Sequence, residues 1–316
     1  MGAPSDKWGL VSTIKAPATQ ILNFAAYHLD AGAHRLFIYL DSPCPEAHKF
    51  LKNHPKIRVI ECDDAYWGKR GRKGRPVKHQ VRQAQNATRC YRRQCKDLEW
   101  LAHIDADEFL WSPSPIGQHL AQLPPQTICA RSRPLEAVAN APDLFKAYLP
   151  PGPSQDAVLN SLYPRFADQS RGGFLSHVQG KLFVRTGQDD ASFRIHNFFQ
   201  GEIENPAATE LNDVDLCHYH ACNWEDWLAH YRYRLQQGSY RAELAPQRRG
   251  DRNSPNLHSF LKDLERNEGE TGLRAFYDEL NLADSRQQAE VEKAGLLRRR
   301  SLALNSKRKK HFPGFD

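Results

Sequence analysis

Three carboxylates fall within four residues where an apolar run ends. Trp100-Leu101-Ala102-His103-Ile104 leads into Asp105-Ala106-Asp107-Glu108, and Phe109-Leu110 is apolar again. A short apolar run bounded by polar sequence reads as a buried strand, here one that delivers acids at its C-terminal end, where open α/β sheets place their ligands. If the chain stays extended, Asp105 and Asp107 leave the same face. Two hard oxygen donors side by side, followed by Glu108, suit a divalent cation that also holds phosphate oxygens. Acids this close need a counter-cation, because alone they repel and raise one another's pKa. A solvated turn is the plainer alternative, and the apolar residues on both flanks argue against it.

A second cluster is Cys217-His218-Tyr219-His220-Ala221-Cys222. Along a strand His218 and His220 share one face, so either imidazole could complete a cation site begun by Asp105 and Asp107. A separate zinc site is the rival, but thiols and imidazoles on two faces of one strand cannot converge on one ion. A plain core strand is the third reading. His196, in Arg194-Ile195-His196-Asn197, is a candidate ligand or phosphate donor and equally a structural histidine. Lys181 and Arg185, on a strand-like run, could meet an anionic leaving group or simply face solvent.

The elements that must position these groups follow from periodicity. Residues 8–14, 36–40, 57–60 and 100–105 read as strands. Helices are expected at 19–31, from Pro45 through Leu51, and at 77–95, the last with a weak apolar face. Strand and helix alternating at this spacing call for a parallel sheet with right-handed crossovers. Each strand ends in polar residues: Lys15, Asp41, Asp63-Asp64, then Asp105 and Asp107. Those ends line one edge, and no Gly-x-Gly-x-x-Gly follows the first strand, so a dinucleotide fingerprint is absent. From 113 to 164 prolines and scattered charges predict loops. Strand-like runs return at 181–185, 193–196 and 215–220. Beyond Asn223 the chain reads helical, with helices near 224–231, 257–266, 272–280 and 286–302. The expected organisation is a domain over residues 1–222 and a helical C-terminal extension over 223–316 with a basic tail.

Composition narrows the classes. With 40% hydrophobic and 26% charged residues, the 316-residue chain reads as an ordinary soluble globular protein. It has no apolar run of about 18 residues that could span a bilayer. The N-terminal sequence lacks the basic and apolar regions of a secretory signal, and seven cysteines without Cys-x-x-Cys fit a reducing compartment, so a cytoplasmic location is expected. The net charge of +7 is concentrated at residues 68–75, at Arg298-Arg299-Arg300 and at Lys307-Arg308-Lys309-Lys310. Such clusters meet nucleic acid, anionic lipid or an anionic substrate, or are merely solvated.

Three blocks together resemble the family 2-like, GT-A type nucleotide-diphosphosugar glycosyltransferases, in particular bacterial ones with an Asp-x-Asp-Glu-Phe core. They are residues 23–33 running into Phe37-Ile38-Tyr39-Leu40-Asp41-Ser42, the stretch 100–110, and residues 181–196 followed by His218-Tyr219 and Trp224-Glu225-Asp226-Trp227-Leu228. The second block is the specific one, and the likeness spans about residues 8–240. It implies an α/β, GT-A-like fold, a Rossmann-type, mostly parallel sheet flanked by helices. It also implies a hexosyltransferase-like enzyme using Mn²⁺ or Mg²⁺ and a nucleotide sugar, UDP-sugar favoured. Asp105 and Asp107 would take the Asp-x-Asp role on ribose, metal and diphosphate. His218 matches a metal-contacting histidine, and Asp41 lies where relatives contact base and ribose. Lys15 and Lys181 are further candidates for donor binding. Many relatives carry Lys-Asn-Glu after the first strand, where this chain has Lys15-Ala16-Pro17.

An inverting transfer also needs a base on the acceptor hydroxyl. Glu108, Asp168 and Asp213 are candidates, with Asp168 favoured because such enzymes place their base well downstream of the Asp-x-Asp. The expected role is transfer to a glycan or lipid-linked acceptor in cell-surface polysaccharide synthesis, with the basic C-terminus as a peripheral contact to anionic membrane and no nucleic-acid partner. The alternatives are a basic nucleic-acid-binding protein, suggested by the 68–75 loop beside Tyr66 and Trp67, and a metal-dependent phosphohydrolase built on the same acids.

Overall fold

The computed structural model describes residues 4–69, 74–236 and 257–315, apart from the side chains of Arg234, Gln236 and His258. Of the basic 68–75 loop, residues 70–73 lie outside the described residues. In chain order the elements are β1 (Trp8–Ile14), α1 (Ala18–Asp30), β2 (Arg35–Leu40), α2 (Pro45–Asn53), β3 (Ile57–Glu61), α3 (Asp64–Gly68), α4 (His79–Arg93), β4 (Trp100–His103) and β5 (Glu108–Trp111). There follow α5 (Ile116–Ala121), β6 (Cys129–Ser132), β7 (Pro134–Val138), β8 (Ala141–Ala147), α6 (Gln155–Leu162), a 3-10 turn (Ala167–Gln169), β9 (Lys181–Arg185), β10 (Ala191–Phe193), β11 (Phe198–Gln200), β12 (Ile203–Glu204), β13 (Ala208–Glu210) and β14 (Asp215–His218). The chain closes with α7 (Trp224–Gln236), α8 (Leu257–Leu280), α9 (Ser285–Lys293), β15 (Leu297–Arg299) and α10 (Leu304–His311).

These elements sort into two units that interleave along the chain. Unit 1 comprises Met1–Arg133, Gln179–Leu216 and Leu302–Asp316, and unit 2 comprises Pro134–Val178 and Cys217–Ser301. Unit 1 is built on a seven-stranded sheet in the order β13-β6-β9-β4-β1-β2-β3. Strands β4, β1, β2 and β3 are mutually parallel, while β9 runs antiparallel to both β4 and β6. All seven residues of β1 are buried. Helix α1 carries Ile21, Leu22, Ala25, Ala26 and Leu29 on its buried face, and it ends where Gly32, at φ +96°, donates its N–H back to the Leu29 carbonyl.

Helix α10 packs along α1 rather than fraying. Its Lys310 Nζ lies 2.5 Å from Asp30, with His311 at 3.5 Å and Lys307 at 3.8 Å, and Phe312 just beyond it is buried. Among the described residues no helix is long and apolar enough to cross a membrane.

Unit 2 holds β8 antiparallel to both β7 and β15, together with a helical core that includes Trp227, Tyr231, Leu261, Leu273, Phe276 and Tyr277. Two of its strands carry a buried ion pair. Glu136 on β7 and Lys146 on β8 lie 3.0 Å apart, and Glu136 also accepts the Leu175 and Ser176 N–H groups at 3.0 and 2.7 Å. Lys146 donates to the carbonyls of Gly173 and Leu280.

The expected loops at 113–164 therefore contain three strands and two helices. The buried Glu136 and Lys146 place charged residues where a core strand would read as an apolar run. The helix expected over 286–302 stops at Lys293: Gly295 turns the chain at φ +69°, and 297–299 pair with β8. The two helices expected near 257–266 and 272–280 run as α8, broken at Gly269 with φ +64°.

Candidate active site

In unit 1, β1 has β2 on one side and β4 on the other, both parallel to it. The direction in which the chain adds strands therefore reverses between β1 and β4. At such a switch point loops leave opposite faces of the sheet and open a crevice at the carboxyl ends of the strands. Lys15 follows β1 at this edge and is exposed, Asp41 follows β2, and Asp105 follows β4.

The acids do not continue the strand. β4 ends at His103, and residues 105–107 turn the chain into β5, so Asp105 and Asp107 are not presented by an extended segment as the sequence suggested. The turn is closed twice by Glu108. Its Oε2 accepts the Asp105 N–H at 2.8 Å, and its own N–H donates to the Asp105 carbonyl at 3.2 Å. Glu108 is fully buried, which fits a group that holds the turn more than one that meets substrate.

A cation is already built into this turn. Lys181, 1% exposed, places Nζ 2.5 Å from Asp105 Oδ2 and 3.4 Å from Glu108 Oε2. Gln83 of α4 donates to Asp105 Oδ1. Burial pushes the Asp105 carboxyl up, but the Lys181 ammonium outweighs it and holds Asp105 below the usual carboxylate range. Burial alone would discharge Lys181, and the charges of Asp105 and then Glu108 raise it above an ordinary lysine instead.

The approach of Lys181 depends on Gly180. That residue sits at φ +70°, and a Cβ on it would fall 2.1 Å from the Ser132 carbonyl oxygen. His103, buried one residue before Ile104, contacts the Arg194 carbonyl through Nδ1 at 3.0 Å. Burial, then Lys181, pushes its pKa down to about 4, so it is neutral near pH 7.

Asp41 is likewise buried and committed. Arg82 meets both its carboxylate oxygens, at 2.7–3.0 Å, Arg75 lies 3.0 Å from Oδ1, and His79 Nδ1 is 3.3 Å from Oδ2. Burial works to raise this carboxyl, and the hydrogen bonds from His79 and Arg82 hold it well below its ordinary value. Asp41 thus anchors the start of α4 at the sheet edge. Next to it Asn86 donates to Thr13 Oγ1 at 3.1 Å and accepts from the Tyr66 hydroxyl at 2.5 Å.

Asp168 is exposed in the 3-10 turn of unit 2, and Asp213 of unit 1 is an exposed carboxylate 3.6 Å from His119 Nδ1. His218 is buried at the end of β14 in unit 2, with the rings of His177 and His220 centred 5.4 and 5.2 Å away. His196 places Nδ1 3.0 Å from the Gly180 carbonyl. No sequence motif marks Gln83, His103, Gly180 or His177. Gln83 and Asn86 stand three apart on one helix, the spacing of a shared face, and that polar face is the reason α4 reads as weakly apolar.

The residues present fit a divalent cation. Asp105, Asp107 and Glu108 bring three carboxyl groups into one turn, with the Lys181 ammonium beside Asp105 and Glu108. Each Asp105 oxygen has two lone-pair positions, and one donor occupies each. Asp107 is partly exposed beside it. Carboxyl oxygens grouped in this way are the donor type that hard divalent cations take.

No protein-family model and no curated protein matches the chain. Among solved structures it is similar to one described as "Crystal Structure of a Mycobacterial Protein", with 10% sequence identity, coverage of 74% of this chain and 75% of that one, and a TM-score of 0.35. A likeness at that level carries no argument about activity.

Proposed function

We propose that unit 1 is a GT-A-like nucleotide-sugar-binding domain and that the protein is a metal-dependent, inverting glycosyltransferase, with a UDP-sugar as favoured donor. The observation that carries this reading is the acid turn Asp105–Glu108 at the carboxyl end of β4, beside β1, where the parallel strand order reverses.

In this reading Asp105 and Asp107 are the oxygen ligands. A bound Mg²⁺ or Mn²⁺ supplies Lewis-acid stabilisation of the departing diphosphate. Lys181 fixes the Asp105 carboxylate in one orientation and keeps it ionised. Glu108 shapes the turn from below, and the acceptor proton falls to an exposed carboxylate, Asp168 or Asp213. The acceptor is a glycan or glycolipid. Any peripheral contact with anionic lipid draws on Arg298–Arg300 and Lys309, since Lys307 and Lys310 face Asp30.

The experiment is release of nucleoside diphosphate from a panel of nucleotide sugars, with paired measurement of Mn²⁺ binding. The reading expects release that chelator removes and Mn²⁺ restores, and Mn²⁺ binding weakened at least about tenfold in Asp107→Asn. Release indifferent to chelator contradicts it, and hydrolysis of simple phosphate esters in place of transfer would assign the acids to a phosphohydrolase.

A further inference from the structure

A groove of unit 1 has a chemistry different from that of the acid turn. It runs along α4 from Gln80 to Arg93 and is closed on the far side by residues 192–197, enclosing about 760 Å³. Of its sixteen lining residues none is acidic, and four are arginines: Arg89, Arg92, Arg93 and Arg194. Nearly as many acids as bases are available in the chain, 37 against 44, so a lining with four cations and no acid is a selective arrangement. Two of the guanidinium groups are held in place. Arg92 Nε donates to the Ala191 carbonyl at 2.6 Å, and Arg194 stacks 4.1 Å from the Phe199 ring centre. Arg92 also lies 3.8 Å from Asp190, which does not line the groove.

The rest of the lining narrows the ligand. Arginine presents a planar fork matched to carboxylate and phosphate oxygens. Four side-chain amides, Gln80, Gln85, Gln179 and Asn197, join the hydroxyls of Thr88 and Ser192. Amides donate and accept at once, which suits the paired donor and acceptor character of sugar hydroxyls. Fourteen residues of helix make the groove about 20 Å long, enough for several sugar rings in a row. A nucleic-acid strand would want exposed rings on which bases stack. The one Tyr, Phe or Trp in the lining, Tyr66, is only 7% exposed.

We propose that this groove binds an acidic oligosaccharide, a glycan chain carrying carboxylate or phosphate groups. Binding stands independently of the transferase reading; naming the bound chain as the acceptor rests on it.

The test is equilibrium binding of tetragalacturonate, a phosphorylated mannose tetrasaccharide, neutral maltotetraose and a single-stranded oligonucleotide of matched charge. Each is titrated into the full chain and into Arg89→Gln/Arg93→Gln, with circular dichroism and thermal melting to verify the fold. The inference expects at least one acidic tetrasaccharide to bind tenfold or more tighter than maltotetraose, and the double variant to lose at least tenfold of that affinity with its melting temperature unchanged. Which acidic chain binds identifies carboxylate or phosphate as the charged group. Equal binding of neutral and acidic sugars overturns it, as does undiminished binding by the folded variant or tighter binding of the oligonucleotide. A nucleotide-sugar titration in parallel separates the two claims: glycan binding without it leaves the groove and removes the transferase reading, and the reverse removes the groove alone.

Discussion

Lys181 is the residue on which the acid turn depends most directly. It is buried, and its ammonium is shared by Asp105 and Glu108. Removing one partner of a buried pair leaves an uncompensated charge, which costs about 3–5 kcal/mol. Lys181→Met is therefore expected to lower stability by about that amount in urea titrations, and adding Asp105→Asn to recover part of it. A single-variant loss below about 1 kcal/mol would mean that the turn is held by other groups.

The buried histidines set a pH dependence. His28 Nδ1 lies 2.8 Å from the Phe24 carbonyl, and its Nε2 accepts the Leu110 N–H at 3.3 Å, an arrangement only the neutral ring satisfies. Burial pushes its pKa down to about 3, and that of His103 to about 4. In the unfolded chain both titrate near about 6.5. Below that pH the unfolded state takes up protons that the folded state refuses, so the stability they confer is complete above about 6.5 and falls by about 1.4 kcal/mol per pH unit for each ring on acidification. Asp41 and Asp105, held below the carboxylate range, lose their contributions only at more acidic pH, and Lys181, raised, loses its own only at alkaline pH. Between pH 6.5 and 5 the slope is then mainly histidine. Melting curves of His28→Gln should show a shallower slope than wild type, and identical slopes would contradict this assignment.

At the scale of elements, the entry to β9 is fixed by Gly180. The left-handed φ and the 2.1 Å approach of a hypothetical Cβ to Ser132 leave no room for a side chain. Gly180→Ala should destabilise the chain by about 1–3 kcal/mol and weaken Mn²⁺ binding with it, because Lys181 is the next residue. Unchanged metal affinity in a destabilised variant would separate the strand from the site.

The same elements show what the sequence made legible. β1, α1, β2 and β4 announced themselves because each buries a regular apolar face, and the mixed α/β architecture with a parallel core followed from their order. α4 was legible as a helix over 77–95 with a weak apolar face, Gln83 and Asn86 being buried on it, whereas β7 and β8 were not, because the buried Glu136 and Lys146 interrupt their apolar residues. Such pairs cancel in three dimensions and look like surface in one. Asp105 was legible by type and spacing. That Lys181 is its partner was not, since 76 residues separate the two and nothing local links them.

At the scale of the whole molecule, the chain passes between the two units four times. The sheet of unit 1 takes β9 and β13 from residues beyond 133, and α1 is covered by α10 from the C-terminus. A fragment ending at 133 lacks these partners and leaves β4 without its antiparallel neighbour. It is expected to show no cooperative melting transition, and a well-dispersed NMR spectrum from that fragment would contradict the interleaved assembly.

If Asp105 and Asp107 form a cation-dependent nucleotide-sugar site, differential scanning fluorimetry will detect it. UDP-, GDP-, CMP- and dTDP-sugars are each added with and without Mn²⁺ to wild type and Asp107→Asn. A ligand that binds only the folded state raises the melting temperature by mass action. At least one nucleotide sugar is expected to give a shift that needs both Mn²⁺ and Asp107. No shift with any nucleotide, or the same shift in Asp107→Asn without metal, would contradict it.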